Sequence, residues 1–341
     1  MATVGRNIFW QTCFFFVLLC AFIPRAEALR LKIATISPEG SFWMQKMQEG
    51  ADEVKKKTEG RVSIRYYPGG VMGDDKAVLR KIRIGQLQGG AVVAGSLSDY
   101  FPDNQIYGIP LKFKSFEEVD YVRRHMDQMI TEGLKKGGFI AFGLAEGGFA
   151  YIMSSQPVRT VSDLQQRKTW VPDNDPTVTE GVKAFEISAI PLSIADVRAG
   201  LQTGLIDTVT TSPIGALALH WHTRIKYITD LPFLYIYAVL AVEQKAFAKI
   251  APADQSVVRE IMGRVFNEID RQNRTDNVKA REALINQGIE FVQPPPEALE
   301  EWYRRAAEIP DRLVKSGRFT QKNVDALEMH LQNFRAQQAQ E

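Results

Sequence analysis

The chain contains little cysteine and little histidine, which narrows the chemistry open to it. Two cysteines, Cys13 and Cys20, and four histidines occur among 341 residues. Both cysteines fall in a stretch that we interpret below as a removed leader, so the remaining chain has neither disulfides nor thiol chemistry. His220 and His222 are close in sequence, but on the helix predicted there side chains at i and i+2 point in different directions. We therefore predict no metal site and no cofactor.

The sequence also lacks catalytic motifs and an excess of charge of one sign. It has no GxSxG elbow, no HExxH, no phosphate-binding GxxxxGK and no GxGxxG following a strand. Lysine and arginine together number 42, against 40 aspartates and glutamates. This balance gives no basis for binding nucleic acid. We predict that the protein is not an enzyme and that nucleic acid is not a partner.

The first 28 residues have the pattern of an export signal. Arg6 gives a positive start, residues 8–23 form an apolar run, and Ala26-Glu27-Ala28 has the small-x-small cleavage pattern. The alternative is a retained signal anchor. We expect export, with cleavage after about Ala28. Subtracting 28 from 341 leaves 313 residues, more than one core usually serves, so two domains are expected.

Strand-like and helical runs alternate along the rest of the chain. Strands are predicted at 31–36, 61–67, 89–95, 139–144 and 149–154, with helices between the first of them. Such alternation is typical of α/β folds with a largely parallel sheet. We predict two α/β lobes, with residues 29–152 mainly in the first and 153–242 mainly in the second. Residues 243–341 are predicted to be a helical segment.

One helix is predicted over about 253–287. At roughly 1.5 Å per residue it would reach about 50 Å, longer than one lobe. Its outer parts are amphipathic, whereas the stretch from Asp270 to Asn277 is almost wholly polar. We interpret this pattern as a helix that packs on both lobes and crosses a gap in solvent between them. The alternative is two helices with a break near Asn273.

Three stretches of the sequence carry a family resemblance. They are LKIATISPEGSFW (31–43), TEGRVSIRYYPGGVMGDDKAVLRKIRIGQLQGGAV (58–92) and DVRAGLQTGLID (196–207). The chain resembles substrate-binding proteins of TRAP (tripartite ATP-independent periplasmic) transporters, of the dicarboxylate-receptor (DctP) type, over nearly all of its length after the leader. The resemblance implies a two-lobed periplasmic binding protein, with two α/β domains joined by hinge strands and a long helix spanning both.

The resemblance also implies a function. A protein of this family captures a small organic solute by lobe closure. It then delivers the solute to the small and large membrane subunits of a permease that is driven by an ion gradient. A ligand-sensing receptor for a membrane kinase is an alternative that the sequence does not separate from transport. An enzyme on the same scaffold is another, and Glu146 with Asp175 is the acid/base pair it would use.

The segment TVSDLQQRKTWVP (160–172) departs from the family pattern. The family's carboxylate-binding arginine falls here on Trp170, and its usual glycine falls on Gln166. The family habit predicts an organic acid as ligand, whereas Trp170, followed by Asp173 and Asp175, favours a neutral, aromatic or amine-bearing solute. A carboxylate ligand would need a relocated arginine. The candidates are Arg198, Arg159 and Arg167.

Six of the predicted binding residues fall at the carboxyl ends of strands, which line the crevice in open α/β sheets. They are Trp170, Asp173, Asp175, Thr210, Thr211 and Ser212. Glu146-Gly147-Gly148 lies between the strands predicted at 139–144 and 149–154, and its glycines allow either close backbone approach at the crevice or a tight turn. The predicted substrate-binding set is Trp170, Asp175, Thr210, Thr211, Ser212, Glu146, Asp173, Trp43 and Arg198.

Overall fold

The computed structural model describes residues 28–173 and 175–340. The predicted export signal, apart from Ala28, lies outside the described residues, as do both cysteines. Among the described residues, no helix combines the length and the apolar character that a membrane crossing requires.

Ten strands of the described chain form one connected sheet, in the order β2-β1-β3-β9-β4-β7-β5-β6, with β8 and β10 attached at the side of β4. The strands are β1 Leu29–Thr35, β2 Val62–Tyr67, β3 Gly89–Val93, β4 Phe139–Ser154, β5 Lys168–Pro172, β6 Ser188–Leu192, β7 Thr208–Thr211, β8 Tyr227–Thr229, β9 Leu234–Glu243 and β10 Glu290–Val292. Strands joined by crossover helices pair in parallel, as β1 does with β2 and β3 and as β5 does with β6.

Helices cover both faces of this sheet. They are α1 Phe42–Lys57, α2 Asp75–Arg83, α3 Phe116–Lys136, α4 Val161–Gln165, α5 Pro176–Phe185, α6 Ile194–Thr203, α7 Pro213–Ala218, α8 Gln244–Phe247, α9 Pro252–Asn286, α10 Pro296–Ala307, α11 Ile309–Lys315 and α12 Gln321–Gln338. Short 3₁₀ helices occur at Ala94–Leu97, Pro102–Gly108 and Trp221–Arg224. The alternation of strands and helices confirms the predicted α/β class.

The long strand β4 passes through both halves of the molecule and joins them. β4 pairs antiparallel with β9 from Phe139 to Ala150, and then pairs with β7 from Tyr151 onward. The sequence predicts two strands here, but the structure has one strand of 16 residues. The register with β9 shifts between Glu146 and Gly148, so the two glycines form a bulge rather than a break.

Three apolar clusters form the core. One lies between the first half of the sheet and the C-terminal helices and includes Tyr107, Val119, Trp302 and Leu327. The second lies beneath the opposite face, between α1 and the first half of α9. The third fills the second half of the molecule around Trp170, Val209 and Trp221. The third cluster is separate from the other two, which agrees with the predicted two-lobed fold.

The long helix α9 is continuous over 35 residues, as predicted, and the alternative break near Asn273 does not occur. The expected solvent gap is wrong. Asn273 and Asn277 are 2% and 7% exposed, because the polar middle of the helix packs on the bulge of β4. Asn273 Nδ2 donates to the Glu146 carbonyl, and Asn277 Nδ2 donates to the Gly147 carbonyl at 3.0 Å. These two asparagines therefore satisfy the bulge's backbone instead of facing water.

Gly148 makes this close approach possible. Its φ of +90° lies in the region that favours glycine, and a Cβ added there would come within 2.6 Å of Asn277 Nδ2. Of the two roles that the sequence leaves open for these glycines, the structure shows close backbone approach, but to α9.

We expect Gly148→Ala to lower the free energy of unfolding by about 1–3 kcal/mol for the strained backbone, with a further loss from displaced Asn277. Gly138→Ala is the matched control, because Gly138 has φ +92° and no atom within 4 Å of an added Cβ. Denaturant unfolding of both variants separates backbone strain from lost helix contact. Equal losses in the two variants would show that the contact with Asn277 contributes nothing.

Candidate functional site

A crevice between the two lobes has a volume of about 520 Å³. From the first lobe it is lined by the start of α2 and by Gly95 and Ser96 after β3. From the second lobe it is lined by Pro172 and Asp173 at the end of β5, by Asp175, and by Ile194. Ligands of open α/β sheets bind outside the carboxyl ends of the strands, and these segments follow the carboxyl ends of β2, β3, β5 and β6.

A hydrogen bond joins the two lobes beside this crevice. Gln105 Nε2, from the first lobe, donates to Asp175 Oδ2 at 2.7 Å. Asp175 Oδ1 also accepts from the Val178 amide at 3.2 Å, which orients the carboxylate at the start of α5. The pair lies against Gly95, where an added Cβ would be 2.7 Å from Asp175 Oδ2. We call Gln105 and Asp175 the latch, since it joins the two walls.

Asp75 is a buried carboxylate at the border of the crevice. It is 6% exposed, and its Oδ2 accepts from the Val93 amide and the Ser96 hydroxyl, each at 2.9 Å. Burial raises the pKa of Asp75 to about 6, against the lowering effect of these two hydrogen bonds. The neighbouring Asp74 caps α2, since its Oδ1 accepts from the Ala77 amide at 2.8 Å.

Three exposed cations, Lys76, Arg80 and Arg83, also border the crevice. Their spacing of four and three residues places them on one face of α2. The arginines considered from sequence lie elsewhere, with Arg159 and Arg198 exposed and outside the lining of the crevice among the described residues.

Trp170 lies in the core of the second lobe. It is 7% exposed, its indole N–H donates to the Leu192 carbonyl at 3.0 Å, and its ring meets Trp221 edge-on at 5.1 Å. The side chain therefore supports β6 just before Ile194, which does line the crevice.

Glu146 lies in the hinge. It is 0% exposed, and its carboxylate accepts from Arg274 at 2.6 Å and from the Tyr235 hydroxyl at 3.1 Å. Trp43 contacts the same region, because its indole N–H donates to Asn273 Oδ1 at 2.8 Å.

The hydroxyl residues at the end of β7 turn toward the start of α7. Thr211 and Ser212 are 7% and 2% exposed, and Ser212 caps α7 by accepting from the Gly215 amide at 3.3 Å. Of the nine predicted contacts, Asp173 and Asp175 border the crevice as the described residues define it.

Sequence reasoning missed the residues of the first-lobe wall. Two signals were available for them. Only one of the adjacent Asp74 and Asp75 can cap α2, which leaves the other for a different role. Lys76, Arg80 and Arg83 share a helix face. Gln105 gave no signal, because its role depends on contact with a residue 70 positions away.

The histidine pair makes no cluster. His222 Nδ1 contacts the Ala216 carbonyl at 3.1 Å, and the two imidazole rings lie 6.2 Å apart. Among the described residues there is no group of three or more metal-binding side chains that could hold an ion.

Trp170→Ala should lower the free energy of unfolding by about 3–5 kcal/mol, as expected for loss of a buried indole. Trp170→Phe should recover most of that loss, since it keeps a ring against Trp221. Urea denaturation measures both. A Trp170→Ala protein with unchanged stability but no solute binding would instead place the indole against the solute.

The raised pKa of Asp75 should make the stability of the protein depend on pH. Its pKa is higher in the folded than in the unfolded state, so its contribution to stability is full below about pH 4 and is lost as the pH rises through about 6. Between pH 4 and pH 7 the free energy of unfolding of Asp75→Asn should therefore rise relative to that of the native protein. The rise should reach up to about 3 kcal/mol, at about 1.4 kcal/mol per pKa unit. Unfolding at several pH values tests this, with exposed Asp99→Asn as control. A pH-independent difference would contradict it.

The chain matches a known protein family and resembles several of its members. The family model of bacterial extracellular solute-binding proteins, family 7 (DctP), matches residues 33–316. A Salmonella typhimurium protein designated YiiZ is 25% identical over 60% of this chain, and the chain spans 64% of that relative's length. The sialic acid-binding periplasmic protein SiaP of Vibrio cholerae is 20% identical over 80% of this chain and 86% of its own length.

A solved structure shows the same fold. It is a TRAP periplasmic solute-binding protein of Pseudomonas putida with bound D-glucuronate, and it superposes with a TM-score of 0.79 at 22% identity, over 87% of this chain and 97% of that one. The family match covers most of the chain and agrees with the two lobes, the strands that cross between them and the crevice. The chain belongs to the DctP family of bacterial extracellular solute-binding proteins.

Proposed function

We propose that this protein is the periplasmic receptor of a TRAP transporter, and that it captures a small organic acid by closing its lobes. The observation that carries the proposal is the crevice between the lobes, bridged by the latch between Gln105 and Asp175 at 2.7 Å. A contact that exists only when the walls meet stabilises the closed state selectively, and a solute held between the walls adds to the same bias.

The cations of α2 support an organic acid as the ligand. Lys76, Arg80 and Arg83 border the crevice and can hold a carboxylate in place of the arginine that Trp170 replaces. Similar proteins are described as binding organic acids, namely sialic acid and D-glucuronate, both of which carry a carboxylate. The solute then lies with its carboxylate toward α2 and its remainder against the second lobe.

Delivery to the small and large membrane subunits of a permease follows from this assignment. Lobe closure would bring the outer surfaces of the two lobes together as one surface for such a partner. The same surface would serve a sensory kinase, so the arrangement of lobes alone favours neither partner. We assign transport because the similar solved structure is described as a TRAP binding protein.

The geometry gives little support to the enzyme alternative. The acid/base pair would be Glu146 and Asp175, yet Glu146 is held by Arg274 at 2.6 Å with 0% exposure. Asp175 meanwhile takes part in the latch. A general base has to reach the proton it removes, and a carboxylate enclosed in the hinge does not reach the crevice. Retention of the solute, without turnover, is the behaviour we assign.

Gly95→Ala tests capture by closure. The added Cβ would overlap the latch atoms, which are the ends of flexible side chains, so we expect the fold to remain while the closed state weakens. Loss of a hydrogen bond to a charged group costs about 1.5–3 kcal/mol, so affinity should fall about tenfold or more. X-ray scattering with and without D-glucuronate, with calorimetry for affinity, measures both effects.

Gly263→Ala is the control, since its added Cβ meets only the Phe142 carbonyl oxygen, at 3.5 Å. The native protein and this control should contract on binding, while Gly95→Ala should contract less at the same solute concentration. An unchanged radius of gyration in the native protein with a bound solute would contradict capture by closure.

A further inference from the structure

Asp75 has a buried oxygen without a donor. Its Oδ2 accepts two hydrogen bonds, from Val93 and Ser96, while Oδ1 is buried and has no hydrogen-bond partner among the described residues. Buried polar atoms in folded proteins are nearly always paired. The oxygen therefore needs a donor that the described chain does not supply, and Asp75 borders the crevice in which a solute would lie.

The two bonds on Oδ2 also fix the direction of the carboxylate. Val93 donates from the end of β3 and Ser96 from the turn that follows it, so both donors belong to the rigid wall of the first lobe. Asp74 already caps α2. A side chain that is oriented by two donors, has no capping role and keeps one oxygen unpaired has the properties of a recognition group.

We propose that Asp75 Oδ1 is the specificity contact of the crevice and accepts a hydrogen bond from a hydroxyl or ammonium group of the solute. This inference rests on the proposed function and names the class of solute. With the cations of α2 holding its carboxylate, the solute is an acid that also carries a hydroxyl or an amine. A plain dicarboxylate is disfavoured, because its second carboxylate would meet the charge of Asp75.

The pH dependence of binding separates the two donors. An ammonium group pairs with ionised Asp75, so affinity for an amine-bearing acid should fall as the pH drops below about 6, where burial sets the pKa of Asp75. A hydroxyl group can donate to the carboxylate or accept from the protonated acid, so its affinity should vary less. The charged groups facing this site are Asp74, Lys76, Arg80 and Arg83 on α2, Asp99 after the 3₁₀ turn, and Asp173 and Asp175 from the second lobe.

The test uses three acids of matched length. They are succinate, 4-hydroxybutyrate and 4-aminobutyrate, with D-glucuronate as a larger hydroxylated acid. Calorimetric titration at pH 5 and pH 7.5 gives the affinities. We expect at least one donor-bearing acid to bind about tenfold or more tightly than succinate, since a charged acceptor discriminates strongly between a donor and a like charge.

Asp75→Asn is the decisive variant. Asparagine keeps an oxygen for Val93 and Ser96 but places an N–H₂ donor where Oδ1 was. Affinity for the donor-bearing acids should fall at least about tenfold, and the affinity for succinate should rise relative to theirs. Asp99→Asn removes the same charge from an exposed side chain at the rim, and should change affinity by no more than about threefold because water screens it.

Three results would count against the inference. Succinate could bind as tightly as the donor-bearing acids, Asp75→Asn could leave their ranking unchanged, or the two variants could have equal effects. Each of these overturns the assignment to Asp75 and leaves the receptor function standing. If none of the four acids raises the melting temperature of the native protein, the proposed organic-acid receptor fails, and the inference falls with it.

Discussion

The buried carboxylate of Glu146 is the constraint on which the rest of the structure depends. It sits on β4 where that strand crosses between the lobes, with 0% exposure, and Arg274 of α9 holds it at 2.6 Å. A buried ion pair that loses one partner costs about 3–5 kcal/mol. The long helix therefore has to stay in register with the strand. Asp270 adds to this, since its Oδ1 accepts from the Glu146 amide at 2.6 Å.

The same network joins the elements about which the proposed closure would turn. Arg123 of α3 donates to Asp270 at 2.9 Å and to the Tyr235 hydroxyl at 3.0 Å, so β4, β9, α3 and α9 are joined at one point. If these bonds are kept, the lobes would move by rotating about this point, and the neighbouring segments of β4 and β9 would bend. The latch between Gln105 and Asp175 lies at the crevice, where such a rotation would bring the walls together.

Local pattern was enough to predict the α/β alternation, the continuous helix and the family, because periodicity and motif spacing are local properties. It failed at Asp270 to Asn277, where a polar run was interpreted as solvated. Hydropathy records that a side chain is polar, not that its partner is a strand's backbone. Trp170 shows the same limit for the site, since the sequence places it after a strand but does not reveal that Trp221 and Leu192 enclose it.

The resemblance predicts that the family's arginine falls on Trp170, and the surroundings of the indole give this expectation a physical interpretation. A guanidinium at this position would be enclosed beside Trp221, 7% exposed, where an unpaired charge is costly. The indole removes that charge and fills the wall behind Ile194. Positive charge is instead available across the crevice, on the exposed face of α2. Exposed cations hold a carboxylate less rigidly than a buried bidentate arginine does. Much of the selectivity then has to come from elsewhere in the crevice, and the unpaired oxygen of Asp75 is placed to provide it.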